Sequence, residues 1–251
     1  MAQFRPGGFS FLPPVVKNLL IINGLFFLAM ISLGGAFHID LTRILGLYLP
    51  GSPQFKPFQL VTHMFMHANF SHIFFNMFAL WMFGTAIENL MGGRRFLIYY
   101  LVTGFGAAFL HLAVSYVEAI SLKNQLIAAG YSASELQHYI NTGSYNILHG
   151  ISERTVVSYL AKYFIPTVGA SGAVFGILLA FGMFFPNSYI YLFMAIPIKA
   201  KYFVIAYGVM ELFFGIANRP GDNVAHFAHL GGMVFGFLLI KYWRKRREIF
   251  Y

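Results

Sequence analysis

Six stretches of this chain are apolar over lengths that can cross a bilayer, and that repetition excludes most folds at once. A membrane-spanning helix needs about 20 predominantly apolar residues, because the hydrocarbon core is about 30 Å thick and a helix rises 1.5 Å per residue. The stretches run over about Leu19–Phe37, His72–Met91, Phe96–Val117, Val168–Phe185, Ala200–Ile216 and Asn223–Trp243. Unpaired backbone groups are not tolerated in lipid, so these segments predict an all-α, polytopic bundle of six transmembrane helices. Composition agrees, since 10% of residues are charged against about 25% in soluble domains. One compact transmembrane domain over 19–243 is expected, between a leader at 1–18 and a basic tail at 244–251. The first stretch is too long for a signal-peptide core and others follow it, so it reads as a retained helix.

The net charge of +9 would suggest nucleic acid in a soluble chain. Here the positive-inside bias of membrane proteins accounts for it. With the N-terminus inside, the inner segments hold 11 of the 17 Lys and Arg residues, including Arg94, Arg95, Lys199, Lys201 and the cluster at 244–247. Both termini are therefore expected on the cytoplasmic side. The absence of cysteine excludes disulfides, zinc-thiolate sites and thiol nucleophiles. Two long connections then face outward. His38–Ser71 carries Pro50, Pro53 and Pro57 among leucines and aromatics and is expected to dip into the outer leaflet. Ala119–Pro166 is more polar, with a possible capping box at Ser132 and Glu135. Its later helix puts Val156, Leu160, Tyr163 and Phe164 on one face, which suggests a helix lying on the membrane surface. Tyr189–Ile198 is apolar but contains Pro197 and reads as an interfacial segment.

Polar groups capable of chemistry gather at one depth. The fourth stretch opens Gly169-Ala170-Ser171-Gly172-Ala173-Val174-Phe175-Gly176, a serine among small residues where helix amides are still free to donate. Alone, Gly172 and Gly176 read equally well as a close-packing face. In the sixth stretch, His229, Gly232 and Gly236 share one helix face. Packing the two glycine seams together would bring Ser171 and His229 to hydrogen-bonding distance, the arrangement of an activated serine with imidazole as base. His72 and Asn76, four residues apart at the start of the second stretch, are donors of the kind that stabilise an oxyanion. His63 and His67 have metal-ligand spacing, but Met64 stands where a zinc protease needs glutamate, so no metal is expected. Asp222 could orient His229 but reads better as a helix cap, with Asn223 as the alternative cap. His226 is the rival for the base, and His111 reads as structural. Glu211 lies within an apolar helix, where a charged carboxylate costs about 2.5–3.5 kcal/mol at the bilayer centre, so it needs a partner, an interface or a proton.

Taken together, His72-xxx-Asn76, Gly169-Ala170-Ser171-Gly172 and Ala228-His229-xx-Gly232-xxx-Gly236 resemble the motifs of the rhomboid intramembrane serine proteases, in that family's order and on its second, fourth and sixth spans. The resemblance implies Ser171 as nucleophile and His229 as general base. It implies an oxyanion hole from His72, Asn76 and the Ser171 amide, and an aromatic at Phe175 stacked on the base. Gly84-xxx-Glu88-xxx-Gly92 also resembles a family pattern. Two features depart from it: the first outer loop lacks a Trp-Arg pair, having Thr42-Arg43, and Ala119–Pro166 exceeds the compact family core. The implied function is hydrolysis of peptide bonds in or near transmembrane segments of membrane-protein substrates, without cofactor or nucleic acid, in a bacterial plasma membrane. A non-catalytic relative that binds membrane helices would need neither Ser171 nor His229. A proton channel would need polar groups at successive depths rather than at one end.

Overall fold

The computed structural model describes residues 10–148, 152–192, 195–217 and 224–246. Helix α1 spans Pro14–Phe37 and is followed by the short α2 (Leu41–Leu45) and α3 (Gln59–Thr62). Helix α4 (Phe70–Ala79) continues through a π-helical turn at Leu80–Gly84 into α5 (Thr85–Met91). Then come α6 (Gly93–Ala128), α7 (Ala133–Thr142), α8 (Glu153–Phe164) and α9 (Ser171–Phe184). A hairpin of β1 (Tyr189–Leu192) and β2 (Ile196–Lys199) leads to α10 (Ala200–Ala217) and α11 (His226–Lys245).

Helices thus stand at all six expected stretches, and four of them are long and apolar enough to cross a membrane: α1, the continuous α4–α5 unit, α6 and α10. The chain is accordingly a multi-pass integral membrane protein. The other two differ for identifiable reasons. Helix α9 has only 14 residues, about 21 Å of rise. It needs no lipid-facing length, because Gly172 through Leu178, Ala180 and Gly182 are buried by its neighbours. Helix α11 has 20 residues, but two histidines and a basic end dilute its hydropathy.

Helix α6 is the axis of the bundle, packed against both α9 and α11. Its buried Thr103, Gly104, Gly106, Ala107 and Ala108 are small enough to let both helices close in. Helix α1 buries only Val16, Leu19 and Asn23, one stripe at helical spacing. Ile21, Leu25, Leu28 and Ile31 on its other faces are exposed, as are Phe105, Phe109, Val209 and Phe213 elsewhere. Apolar exposure on this scale suits a lipid-facing surface and would be an aggregation hazard in water.

The start of α1 explains the Gly84/Glu88/Gly92 pattern. The first amides of a helix lack intrahelical acceptors, and Pro14 has no N–H to satisfy. The buried Glu88 carboxylate accepts from the amides of Val15 at 2.9 Å and Val16 at 2.7 Å. Gly84 leaves the space that Val16 and Phe96 fill. Gly92 takes φ +78° at the α5–α6 junction, a conformation that favours glycine.

Two expectations for the connections change. Helix α6 runs 11 residues past Val117, and α7 and α8 fold against that extension. The capping box of α7 forms, with Ser132 accepting from the Glu135 amide and Glu135 from the Ser132 amide. The apolar face of α8, however, is not laid on the membrane. Val156, Tyr159 and Leu160 are buried in a second core with Leu126, Tyr131, Leu136, Tyr139 and Ile140. Lys162 and Glu118 pair across α8 and α6 at 2.5 Å. The Tyr189–Ile198 segment forms an antiparallel hairpin, with Tyr189 opposite Lys199 and Tyr191 opposite Pro197.

Candidate active site

The site is built where α9 begins. Thr167 bridges to Leu47 of the first long loop, which fixes the approach of the chain. Gly169 then adopts φ +128°, a region closed to most side chains. A Cβ there would also stand 2.9 Å from both Cε1 and Nε2 of His72. Glycine is therefore required twice, for the turn and for the approach of the imidazole. Its amide donates to the His63 carbonyl at 2.9 Å. Two residues later Ser171 opens α9, with the unpaired amides of a helix N-terminus around it.

His229 approaches from α11. Its Nε2 lies 2.8 Å from Ser171 Oγ, within the range for proton transfer. The ring stacks on Phe175 with centroids 4.0 Å apart and planes within 3°. Phe175 is backed in turn by Tyr207 of α10 at 5.1 Å. This stack fixes the tilt of the imidazole.

The glycine arrangement differs in part from two facing seams. A methyl group at Gly232 would overlap the carbonyl oxygen of Gly172, so these two do meet directly. Gly176 and Gly236 do not meet each other. Gly176 lies against the Thr103 side chain and Gly236 against the Tyr99 hydroxyl. That hydroxyl donates to the Gly176 carbonyl at 2.7 Å. Thr103 and Tyr99 of α6 thus fill the places beside Gly176 and Gly236, and the direct glycine-to-glycine approach of α9 and α11 is at the level of Ser171.

His72 and Asn76 stand near the start of α4. The Ala68 amide points at His72 Nδ1 at 3.3 Å, which assigns the ring proton to Nε2. That nitrogen is on the Gly169 side, beside the serine. Asn76 is buried and donates one Nδ2 hydrogen to the His72 carbonyl at 2.9 Å. Among the described residues, no acidic side chain joins His63 and His67 at a shared metal position. His63 Nδ1 is bonded to the Gln59 carbonyl at 2.8 Å. His67 is buried with its ring edge-on to His72. Burial pushes both down to about 4. His111 bonds Thr167 Oγ1 through Nε2 at 2.7 Å, supporting the loop before Gly169.

A family model for the Rhomboid domain matches residues 54–246. This chain belongs to the rhomboid family. The rhomboid protease GluP of Bacillus subtilis is 26% identical over 185 residues, 71% of this chain and 24% of that protein. Rhomboid protein 1, mitochondrial, of Saccharomyces cerevisiae is 24% identical over 189 residues, 75% of this chain and 42% of its own length. Rhomboid-like protein 11, chloroplastic, of Arabidopsis thaliana is 39% identical over a shorter match of 89 residues, 34% of this chain and 31% of that protein. This rhomboid therefore spans less than half the length of these relatives.

The residue that motif reasoning left without a partner is Glu211. In this rhomboid it occupies the protein-facing stripe of α10 with Ala200, Val204 and Gly215, the only polar member of that stripe. Its Oε2 lies 2.6 Å from His226 Nδ1 and 3.0 Å from His229 Nδ1. The first is a short hydrogen bond. The second is close enough, though the N–H does not point squarely at the oxygen. The three side chains could hold a cation, since their ligand atoms lie within 4.8 Å of one another. The oxygen–nitrogen separations fit shared hydrogens better, because ligands about 2.05 Å from a tetrahedral zinc stand ~3.3 Å apart. Asp222 and Asn223 lie outside the described residues. The described backbone puts Ala225 at the N-cap of α11, three or two residues later than those candidates.

Proposed function

We propose that this rhomboid is an intramembrane serine endopeptidase that cleaves peptide bonds in or near the transmembrane segments of membrane-protein substrates. The observation that carries the reading is the 2.8 Å approach of His229 Nε2 to Ser171 Oγ at a helix N-terminus. His229 takes the hydroxyl proton as Oγ attacks the scissile carbonyl, then returns it to the leaving amine. Water, activated by the same imidazole, releases the acyl group from Ser171. The oxyanion is assigned to the Ser171 amide, His72 Nε2–H and the Asn76 hydrogen not used within its own helix, the donor set such a charge requires. Gly169, Gly172 and Gly232 let these groups come together, and Phe175 holds the base.

The 14-residue α9 supports a site sunk below the membrane surface. A helix about 9 Å shorter than the hydrocarbon core that reaches one face cannot reach the other. A substrate helix must unwind to be attacked there, since its carbonyls are otherwise engaged. The membrane is inferred to be a bacterial plasma membrane with both termini cytoplasmic. The charge asymmetry supports the orientation, and the Bacillus subtilis relative supports the membrane. Incubation of the purified chain with a model single-span substrate tests the function. Wild type is expected to cleave it and to be labelled by a fluorophosphonate, and Ser171→Ala to lose both while still folded. Undiminished cleavage by that variant refutes the reading.

A further inference from the structure

We propose that Glu211 positions His229, so that this rhomboid works with a Ser171–His229–Glu211 triad instead of a two-residue site. The inference rests on the Ser171–His229 reading above and deepens it. Three observations meet. Glu211 is 4% exposed and belongs to the inward stripe of an otherwise apolar helix. An ionisable group so placed requires a specific partner. Its Oε2 faces the one ring nitrogen of His229 that Ser171 does not use, at 3.0 Å though off the N–H axis. The same oxygen lies 2.6 Å from His226 Nδ1, one turn earlier on α11, which anchors the carboxylate against that helix.

The chemistry requires His229 to carry its proton on Nδ1 and leave Nε2 free to accept from Ser171. Stacking on Phe175 sets the ring's plane but cannot choose between the two tautomers, because a π-face is indifferent to them. A carboxylate facing Nδ1 can. During attack the Ser171 proton moves to Nε2, and the imidazolium is stabilised by Glu211, which stays ionised and takes no proton. His226 holds the carboxylate in place. A cation bound by the same three residues would occupy Nδ1 and force the ring proton onto Nε2, where it would block the base.

Three arms test the inference, all on the full chain in detergent with a transmembrane substrate. Glu211→Gln keeps the shape but removes the charge, and its kcat/KM is expected to fall at least ~10²-fold, as loss of the orienting carboxylate does in a triad. Glu211→Asp, which restores the charge at a shorter reach, recovers at least part of that loss. In wild type, nitrogen NMR of labelled histidine, assigned by the signal missing from His229→Ala, must show the Nδ1–H tautomer for His229. Activity of Glu211→Gln within about threefold of wild type overturns the triad, provided Ser171→Ala is inactive. So does an Nε2–H tautomer, or inhibition by EDTA that zinc reverses. Cleavage by Ser171→Ala instead refutes the underlying serine mechanism.

Discussion

A methyl group at Gly232 is a sharp probe of the Ser171–His229 distance, because it leaves every reacting atom in place. The ideal Cβ position overlaps the Gly172 carbonyl oxygen, one residue from Ser171. Nearby escape routes are closed. Gly231, on the adjoining face of α11, would put a Cβ 2.9 Å from the Gly106 carbonyl and the Ala107 Cα of α6. On the α9 side, Gly172 is itself backed by Ala107. With ordinary atom contacts near 3.5 Å, relief requires α9 and α11 to part by more than ~1 Å. The 2.8 Å hydrogen bond then opens to about 4 Å, outside the range for proton transfer. A displacement of this size costs ~10²-fold in rate.

The overlap is already complete with a single methyl, so Gly232→Ala is expected to lose about as much as Gly232→Val rather than to fall between it and wild type. The assay is kcat/KM on a transmembrane substrate together with the rate of fluorophosphonate labelling at Ser171. Thermal unfolding must be run in parallel, since overpacking by itself costs typically 1–3 kcal/mol. Gly24→Ala is the control. It adds the same methyl to a helix at a position with nothing within 4 Å, and full activity is expected. A folded Gly232→Ala protein that cleaves and labels like wild type would refute the claim that this contact sets the dyad distance.

Two further outcomes follow from groups away from the dyad. Glu88→Gln can satisfy at most one of the two α1 amides that the carboxylate now holds, so unfolding stability should drop by about 1–3 kcal/mol. Turnover per folded molecule should be unchanged, and a full loss of activity in a folded variant would contradict a purely structural role. His63 and His67, both held down to about 4 by burial, are neutral in the folded chain where the unfolded chain, titrating near 6.5, binds protons. Stability should therefore decline as pH falls from about 6.5 towards 4. His63→Asn, which keeps a donor in place of Nδ1, should reduce that slope by about half, and an unaltered slope of unfolding stability against pH would refute the assignment.

Much of the bundle was legible because lipid leaves few choices. Backbone groups must be paired within each span, so apolar length alone marks where helices stand. Lengths failed where protein replaces lipid. Helix α9 is short because α6, α10 and α11 enclose it, and no property of Val168–Phe185 taken alone reveals that enclosure. The face of α8 failed for a related reason. Amphipathicity says that Val156 and Leu160 must be covered, and membrane and protein cover them equally well. The extension of α6 beyond Val117 decided it, and that extension is polar enough to read as loop.

Around the dyad, helical spacing placed Gly232 and His229 on one face and glycine smallness implied a close neighbour. It did not say which neighbour. Gly176 and Gly236 needed a partner each, and the simplest pairing joined them to one another, whereas Tyr99 and Thr103 of α6 fill both places. Glu211 was hidden by the same kind of limit. Spacing along a helix identifies companions on that helix only, which is why Asp222, seven residues before His229, was the visible candidate for a third member. The relation of α10 to α11 depends on how Gly208 accepts Met233 and how Gly215 accepts Phe227, contacts with no signature along the chain. One signal did exist. A carboxylate in an apolar helix needs a partner, and His226 and His229, three apart on one face, offer two Nδ1 atoms within reach of one oxygen. Two imidazoles competing for the role of base, and one carboxylate without a partner, are better explained together than singly: the second histidine holds the carboxylate that orients the first.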